Sequence, residues 1–188
     1  MDWREKLRRN LARHGSVEST PVPASHLTSV LVPIGWNRET RRDEILLTKR
    51  TMHVETHKGQ VSFPGGFCED GDCSLVDTAL RESLEEIGTR PADIEVLGPL
   101  PLVTTRGNIQ IFPWVGRLEL PYPFNVNPDE VEKILHLPLT RLLDEGMGMT
   151  DVGVGGATFR SVSITVDGEL VWGATARMLQ LLRETFLA

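Results

Sequence analysis

The chain has 188 residues, 40% of them hydrophobic, and a formal net charge of −6, enough apolar material to bury a core and too negative for a general binder of nucleic acid or anionic membranes. No apolar run reaches the roughly 20 residues that span a bilayer, and the charged N-terminus lacks the apolar core and cleavage site of a secretory signal, so a soluble protein of the cytoplasm is expected. Its only cysteines, Cys68 and Cys73, rule out a disulfide framework and are expected to stay reduced.

One domain is expected over residues 1–188, with an N-terminal helix and linker in residues 1–25. From Asp2 to Arg13, Trp3, Leu7 and Leu11 share a face while Arg4, Lys6, Arg8, Arg9 and Arg13 lie elsewhere, the pattern of an amphipathic helix. Its stripe is narrow, which suits docking on its own domain better than a membrane surface or a partner. Ser16 to Pro23 reads as a polar linker. Leu27 to Trp36 and Glu44 to Arg50 are apolar and β-branched runs around a charged turn, a hairpin. His57 to Phe63 then leads into a Pro64-Gly65-Gly66 turn.

From Ser74 a helix is expected, with Leu75, Ala79, Leu80, Leu84 and Ile87 at helical spacing and Gly88 as its stop. Glu82, Glu85 and Glu86 fall at i, i+3 and i+4 on one face, where each like pair costs about 0.2–0.5 kcal/mol. A divalent cation turns that repulsion into attraction, and an all-oxygen ligand set favours Mg2+ or Mn2+ over zinc. Read alone, three helix glutamates are ordinarily a solvated face. The preceding glycine turn and the Arg81 to Glu85 pairing at i, i+4, which orients a carboxylate, favour a metal site. A zinc alternative would gather His53, His57, Cys68 and Cys73, but their order matches no finger spacing.

Beyond Gly88, Ile94–Thr105 and Asn108–Leu120 read as two strands around a Thr105–Asn108 turn. A helix is expected to open at Asn127, capped by Asn127 or Asp129 and carrying Val131, Ile134 and Leu135. Glu130 in its first turn is either an additional acid for the metal site or a complement to the helix dipole. Ala157–Thr165 and Glu169–Trp172 flank a Val166-Asp167-Gly168 turn as a hairpin. The last segment is helical, with Met178, Leu179, Leu182 and Phe186 as its core stripe.

Arg81-Glu82-Ser83-Leu84-Glu85-Glu86-Ile87-Gly88 resembles the signature helix of the Nudix hydrolase family, and Gly66 corresponds to the glycine that opens the family motif. The run from Gly66 to Arg81 is one residue longer than the commonest pattern, the loop carries Glu69, Asp70 and Asp72 in place of one fixed glutamate, and Ser83 stands where an aliphatic residue is usual. Leu46–Arg50, His57–Gly66, Glu130-Val131 with Pro138-Leu139, and Trp172–Arg177 resemble the branch that hydrolyses coenzyme A, although Glu55 stands where that branch commonly has a basic residue. The resemblance implies an α/β fold, a mixed sheet sandwiched between helices, and release of 3',5'-ADP and 4'-phosphopantetheine from coenzyme A.

Glu82 and Glu86 are the first candidates for metal ligands, and Glu85 for a further ligand or the base. Arg81 would fix the glutamates or meet a phosphate, and the backbone of Gly65 and Gly66 can approach metal or phosphate closely. Arg50, Lys49 and Lys58 are candidates for substrate phosphate, Arg50 first because a guanidinium grips phosphate bidentately. Trp172 is placed to stack on an adenine or pantetheine, or to pack in the core. The partner expected is a small-molecule nucleotide, with a homodimer possible and neither nucleic acid nor membrane involved. The competing readings are a Nudix enzyme acting on ADP-ribose, a dinucleotide or a nucleoside triphosphate, and a catalytically silent nucleotide-binding module.

Overall fold

Apolar side chains on both faces of two central strands set the layers of the fold. Strand β1 (Leu27–Asn37) sends Val30, Val32 and Ile34 into one core and Leu31 into another, and β2 (Arg42–Arg50) divides Ile45 and Leu47 from Leu46 in the same way. This is the period of two expected of strands covered on both sides. The computed structural model describes residues 3–14 and 27–188, so the linker expected at Ser16–Pro23 and the Asp2 end of the first helix lie outside the described residues.

β1 runs antiparallel to β2 and parallel to β7 (Gln110–Leu120). Strands β3 (Val61–Ser62), β4 (Gly65–Phe67), β5 (Glu95–Pro99), β6 (Val103–Thr104) and β8 (Val131–Pro138) complete a mixed eight-stranded sheet. On one face α2 (Leu75–Ile87) packs Ala79 and Leu80 with Leu31, Ile94 and Trp114. On the other, α1 (Trp3–Leu11) and α4 (Gly173–Leu187) share the larger core with the sheet. The mixed sheet sandwiched between helices is therefore present as expected. A second, antiparallel sheet of β9 (Gly148–Val154), β10 (Ala157–Val166) and β11 (Glu169–Trp172) joins the larger core through Ile164, Val166 and Val171. Asp167 and Gly168 turn β10 into β11 with φ of 50° and 81°, as a two-residue hairpin loop requires.

The N-terminal helix is docked on its own chain. Leu7 and Leu11 are fully buried, the Trp3 ring lies 5.5 Å from Phe186, and Asn10 donates from Nδ2 to the Thr185 carbonyl at 2.9 Å. Arg13, expected in the same helix, falls instead in a 3-10 turn, Ala12–His14. Among the described residues no helix is long and apolar enough to cross a membrane.

Elsewhere the chain departs from expectation. The helix expected at Asn127 is strand β8: Val131, Leu135 and Leu137 are buried on one side while Ile134 packs on the other. A strand apolar on both faces yields 131, 134, 135 by accident, which mimics helical spacing. Asn127 still makes cap-like bonds, its carbonyl accepting from the Val131 amide at 2.9 Å, but they close a turn. The run Ile94–Thr105 splits into β5 and β6, with a bulge between Val96 and Gly98. Helix α3 (Leu139–Glu145) and strand β9 were not legible, the helix being only seven residues and the strand glycine-rich.

Leu11→Ala should destabilise the protein by about 2–5 kcal/mol, the range for truncating a buried leucine. Urea unfolding of the full chain checks this, and a shift below about 0.5 kcal/mol, as at exposed sites, would mean the helix is not part of the core.

Candidate active site

Helix α2 begins and ends where its sequence directs. The Ser74 hydroxyl accepts from the Asp77 amide at 3.3 Å and donates to Asp77 Oδ2 at 2.8 Å, an N-terminal cap. Gly88 closes the helix in the left-handed region, φ 75°, donating to the Leu84 carbonyl at 2.9 Å. Leu84, expected in the core stripe, is 42% exposed; the inward face is instead Thr78, Ala79, Ser83, Glu86 and Ile87. Ser83 is buried without cost because its hydroxyl lies 2.6 Å from Thr89 Oγ1, which also bonds the Ser83 carbonyl at 3.1 Å.

The helix is rotated so that its glutamates occupy three different environments. Glu86 is 2% exposed, Glu82 is mostly buried, and Glu85 is more than half exposed, so the set is not a solvated face. Burial pushes the Glu86 carboxyl up to about 8, Arg50 opposes this, and the negative charges of Glu82 and Glu130 add to it. The Arg50 guanidinium is 3.7 Å from Glu86 Oε1, and the Gly65 backbone N–H also favours the charged form slightly. Glu86 Oε2 is buried with no hydrogen-bond partner. Burial likewise raises Glu82, against the pull of Arg81. Because the neutral form of Glu86 is favoured, its contribution to stability is present below the ordinary carboxylate range and is lost as pH rises through about 8.

The glycine turn fits against these acids closely. A Cβ on Gly66 would lie 2.4 Å from the Glu82 carboxylate, and one on Gly65, at φ 156°, would lie 2.4 Å from the Ser29 carbonyl. Glu130 comes to the same place from another element. Asn127 donates its amide N–H to the Glu86 carbonyl at 2.9 Å and Nδ2 to Glu130 Oε1 at 3.1 Å, fastening Glu130 to the C-terminal end of α2. Asn127, expected only as a helix cap, is a positioning residue, and its signal in the sequence is the Asn-Pro-Asp-Glu turn itself.

Arg81 ties the acidic loop to the helix. Its guanidinium bonds Asp72 twice, at 3.0 and 3.1 Å, then Glu82 at 2.9 Å, Glu85 at 3.4 Å and the Phe67 carbonyl at 3.1 Å. The bonds from Arg81, joined by those from the Glu69 amide and Thr78, hold the Asp72 carboxyl far below the usual carboxylate range. Asp72 is thereby the loop's anchor, while Glu69 stands 3.8 Å from Arg81 and largely exposed.

Lys49 is held by Glu132 at 3.0 Å and Glu169 at 3.1 Å, which raise its pKa, and Lys58 is exposed on the loop before the glycine turn. Among the described residues no three acids, histidines or cysteines form a ready-made metal cage, and His53, His57, Cys68 and Cys73 do not assemble a zinc site. The orphaned Glu86 oxygen, the partly desolvated Glu82 and the close approach of Gly66 nevertheless fit a hard cation that takes oxygen ligands.

A mixed sheet clasped between helices, with a glycine turn pressed against a glutamate-bearing helix, defines a class of α/β fold whose acids meet at the end of a strand. The chain belongs to the Nudix hydrolase family: the NUDIX domain profile matches residues 26–147. It is 36% identical over 155 residues to the uncharacterized Nudix hydrolase NudL of Escherichia fergusonii, covering 81% of this chain and 78% of that protein. Among solved structures it is similar to a MutT/nudix family protein from Enterococcus faecalis, with a TM-score of 0.54 and 14% identity over 94% of this chain and 72% of that one. A C. elegans Ap4A hydrolase complex aligns with a TM-score of 0.51 and 15% identity over 63% of this chain and 85% of that one.

The two glycines should respond differently to the same change. In Gly66→Ala the clash falls on the end of a flexible side chain, so the fold should survive while Glu82 is displaced and turnover drops. In Gly65→Ala the clash falls on backbone, at a φ that side chains rarely adopt, so thermal stability itself should fall. Melting temperature and turnover measured on both variants check this; equal effects on both would remove Gly66 from the site.

Proposed function

We propose that the chain hydrolyses the diphosphate linkage of coenzyme A or its acyl derivatives, releasing 3',5'-ADP and 4'-phosphopantetheine or its acyl form, with Mg2+ or Mn2+ as cofactor. The observation that carries the hydrolytic reading is the buried Glu86, its Oε2 without a partner, packed with Glu82 against the glycine turn. The coenzyme A assignment is supported by the residue runs Leu46–Arg50 and His57–Gly66. The relatives' names specify no substrate, and the Ap4A hydrolase is alike in fold alone.

Glu82 and Glu86 would hold the cation, with Glu85 or Gly66 completing the set. Once bound, it supplies the positive charge a pyrophosphate needs and makes water acidic enough to attack near neutral pH. Arg81 keeps Glu82 and Glu85 in register through bonds of 2.9 and 3.4 Å. Where Gly66 completes the set, Glu85, the most exposed of the three, is free to take the proton from the attacking water and return it to solvent. Arg50, beside Glu86, adds a fixed charge facing a diphosphate oxygen. Lys58, exposed on the loop before the glycine turn, would meet the anion from solvent, and Lys49, already paired with two glutamates, steadies the strand edge.

Mass spectrometry of products from coenzyme A, acyl-coenzyme A and ADP-ribose tests this. Coenzyme A should yield 3',5'-ADP and 4'-phosphopantetheine only with Mg2+ or Mn2+, and excess EDTA should stop the reaction. Glu86→Gln should slow it on the order of 100-fold, the effect of losing one preorganised charged group. Turnover that persists in EDTA would contradict the metal, and a preference for ADP-ribose would overturn the coenzyme A assignment.

A further inference from the structure

Three cations near the glutamate helix have carboxylate neighbours: Arg50 lies 3.7 Å from Glu86, Lys49 holds Glu132 and Glu169, and Arg81 spans Asp72, Glu82 and Glu85. Arg106 is different. Its guanidinium lies 3.6 Å from the centroid of the Phe159 ring, and it makes no ion pair with a carboxylate among the described residues. Phe159 in turn packs at 6.0 Å, tilted by 59°, against Trp172.

Arg106 is exposed, yet the turn that carries it is built. The Thr105 amide donates to the Ile109 carbonyl at 2.9 Å, the Asn108 amide to the Thr105 carbonyl at 3.0 Å, and the Ile109 amide to Thr105 Oγ1 at 3.1 Å. Asn108 adopts φ 60°, a conformation asparagine tolerates better than most residues. The turn therefore fixes the backbone from which the guanidinium reaches the Phe159 ring. Phe159 and Trp172 are each only partly buried.

This cluster stands beside the strand that feeds the glycine turn. Just after Trp172, Thr175 Oγ1 donates to the Val61 carbonyl at 3.0 Å in a buried bond, and Glu169 at the start of β11 pairs with Lys49 of β2 at 3.1 Å. Val61 begins β3, three residues before Pro64 and the Gly65-Gly66 turn. Two aromatic rings of the second sheet and a flat cation with no carboxylate partner among the described residues thus stand close to the strand that enters the glycine turn. Planar π-faces and guanidinium planes are what an unpaired nucleobase stacks on, and the positive charge also suits a phosphorylated ribose.

We infer that Arg106, Phe159 and Trp172 form the seat for the nucleoside half of the substrate, a phosphorylated purine nucleoside whose base stacks on the guanidinium held over Phe159 and meets the tilted Trp172 ring at its edge. Arg106 is a specificity residue rather than a catalytic one. The inference rests on the nucleotide-diphosphatase reading above and goes beyond it by assigning where the base lies.

The test pairs kinetics with binding of two simple probes, AMP and inorganic pyrophosphate, by calorimetry in Mg2+. Arg106→Ala should weaken AMP about tenfold, the scale of one lost base-stacking contact, and leave pyrophosphate affinity as in the wild type. KM for coenzyme A and for ADP-ribose should rise together, since both carry adenosine, with a smaller effect on kcat. Unchanged AMP affinity and KM would overturn the seat. A fall in kcat and melting temperature with KM preserved would also overturn it, by making Arg106 a loop anchor. If the wild type cleaves neither nucleotide but still binds AMP through Arg106, the seat stands and the diphosphatase reading fails.

Discussion

The structure turns on a carboxylate placed where a carboxylate is expensive. Glu86 points from α2 into the seam between helix and sheet, 2% exposed, with one oxygen left without a partner and its pKa pushed up to about 8. A side chain chosen only for packing at that position would be apolar. The surroundings compensate partly, through Arg50 and the Gly65 amide, and a divalent cation would complete the compensation. Several neighbouring features follow from this constraint: Gly66 leaves room for Glu82, Asn127 holds Glu130 to the end of the helix, and Arg81 pins the loop through Asp72.

The sheet makes such a site affordable. β1 is paired antiparallel with β4 through Ser29–Gly66 and Val30–Gly65, and parallel with β7 along its whole length. The glycine turn is therefore part of the sheet, and α2 is fixed to β1 by the Ser29 hydroxyl, which donates to the Leu75 carbonyl. Groups that must be placed to a fraction of an ångström sit on elements with little freedom. The apolar cores on either side keep water from relaxing the electrostatics.

Much of this was legible in the sequence where one rule acted alone. Helix α2 had a start at Ser74, a stripe and a glycine stop, and the Asp167-Gly168 hairpin and the α4 stripe were equally plain. Legibility failed where tertiary structure chose between patterns. Val131, Ile134 and Leu135 fit a helix by spacing, but pairing with β2 made them a strand. Leu84 belonged to the apolar stripe and yet faces outward, because the helix turns its acids toward the glycine turn. Spacing put three glutamates on one face; it could not distinguish buried Glu86 from exposed Glu85, since that depends on what the helix packs against. Asp72 was one of three loop acids in the sequence, and only the fold singles it out as the partner of Arg81.

If Glu86 holds the cation as proposed, binding must displace the proton that burial favours on its carboxyl. The most direct test is the number of protons released when Mg2+ binds at pH 7, obtained by calorimetry in buffers of different ionisation enthalpy. With a carboxyl at about 8, wild type should release about one proton per bound ion as the ligand deprotonates, and Glu86→Gln should bind more weakly and release fewer. Binding without proton release, equal in wild type and Glu86→Gln, would contradict the account.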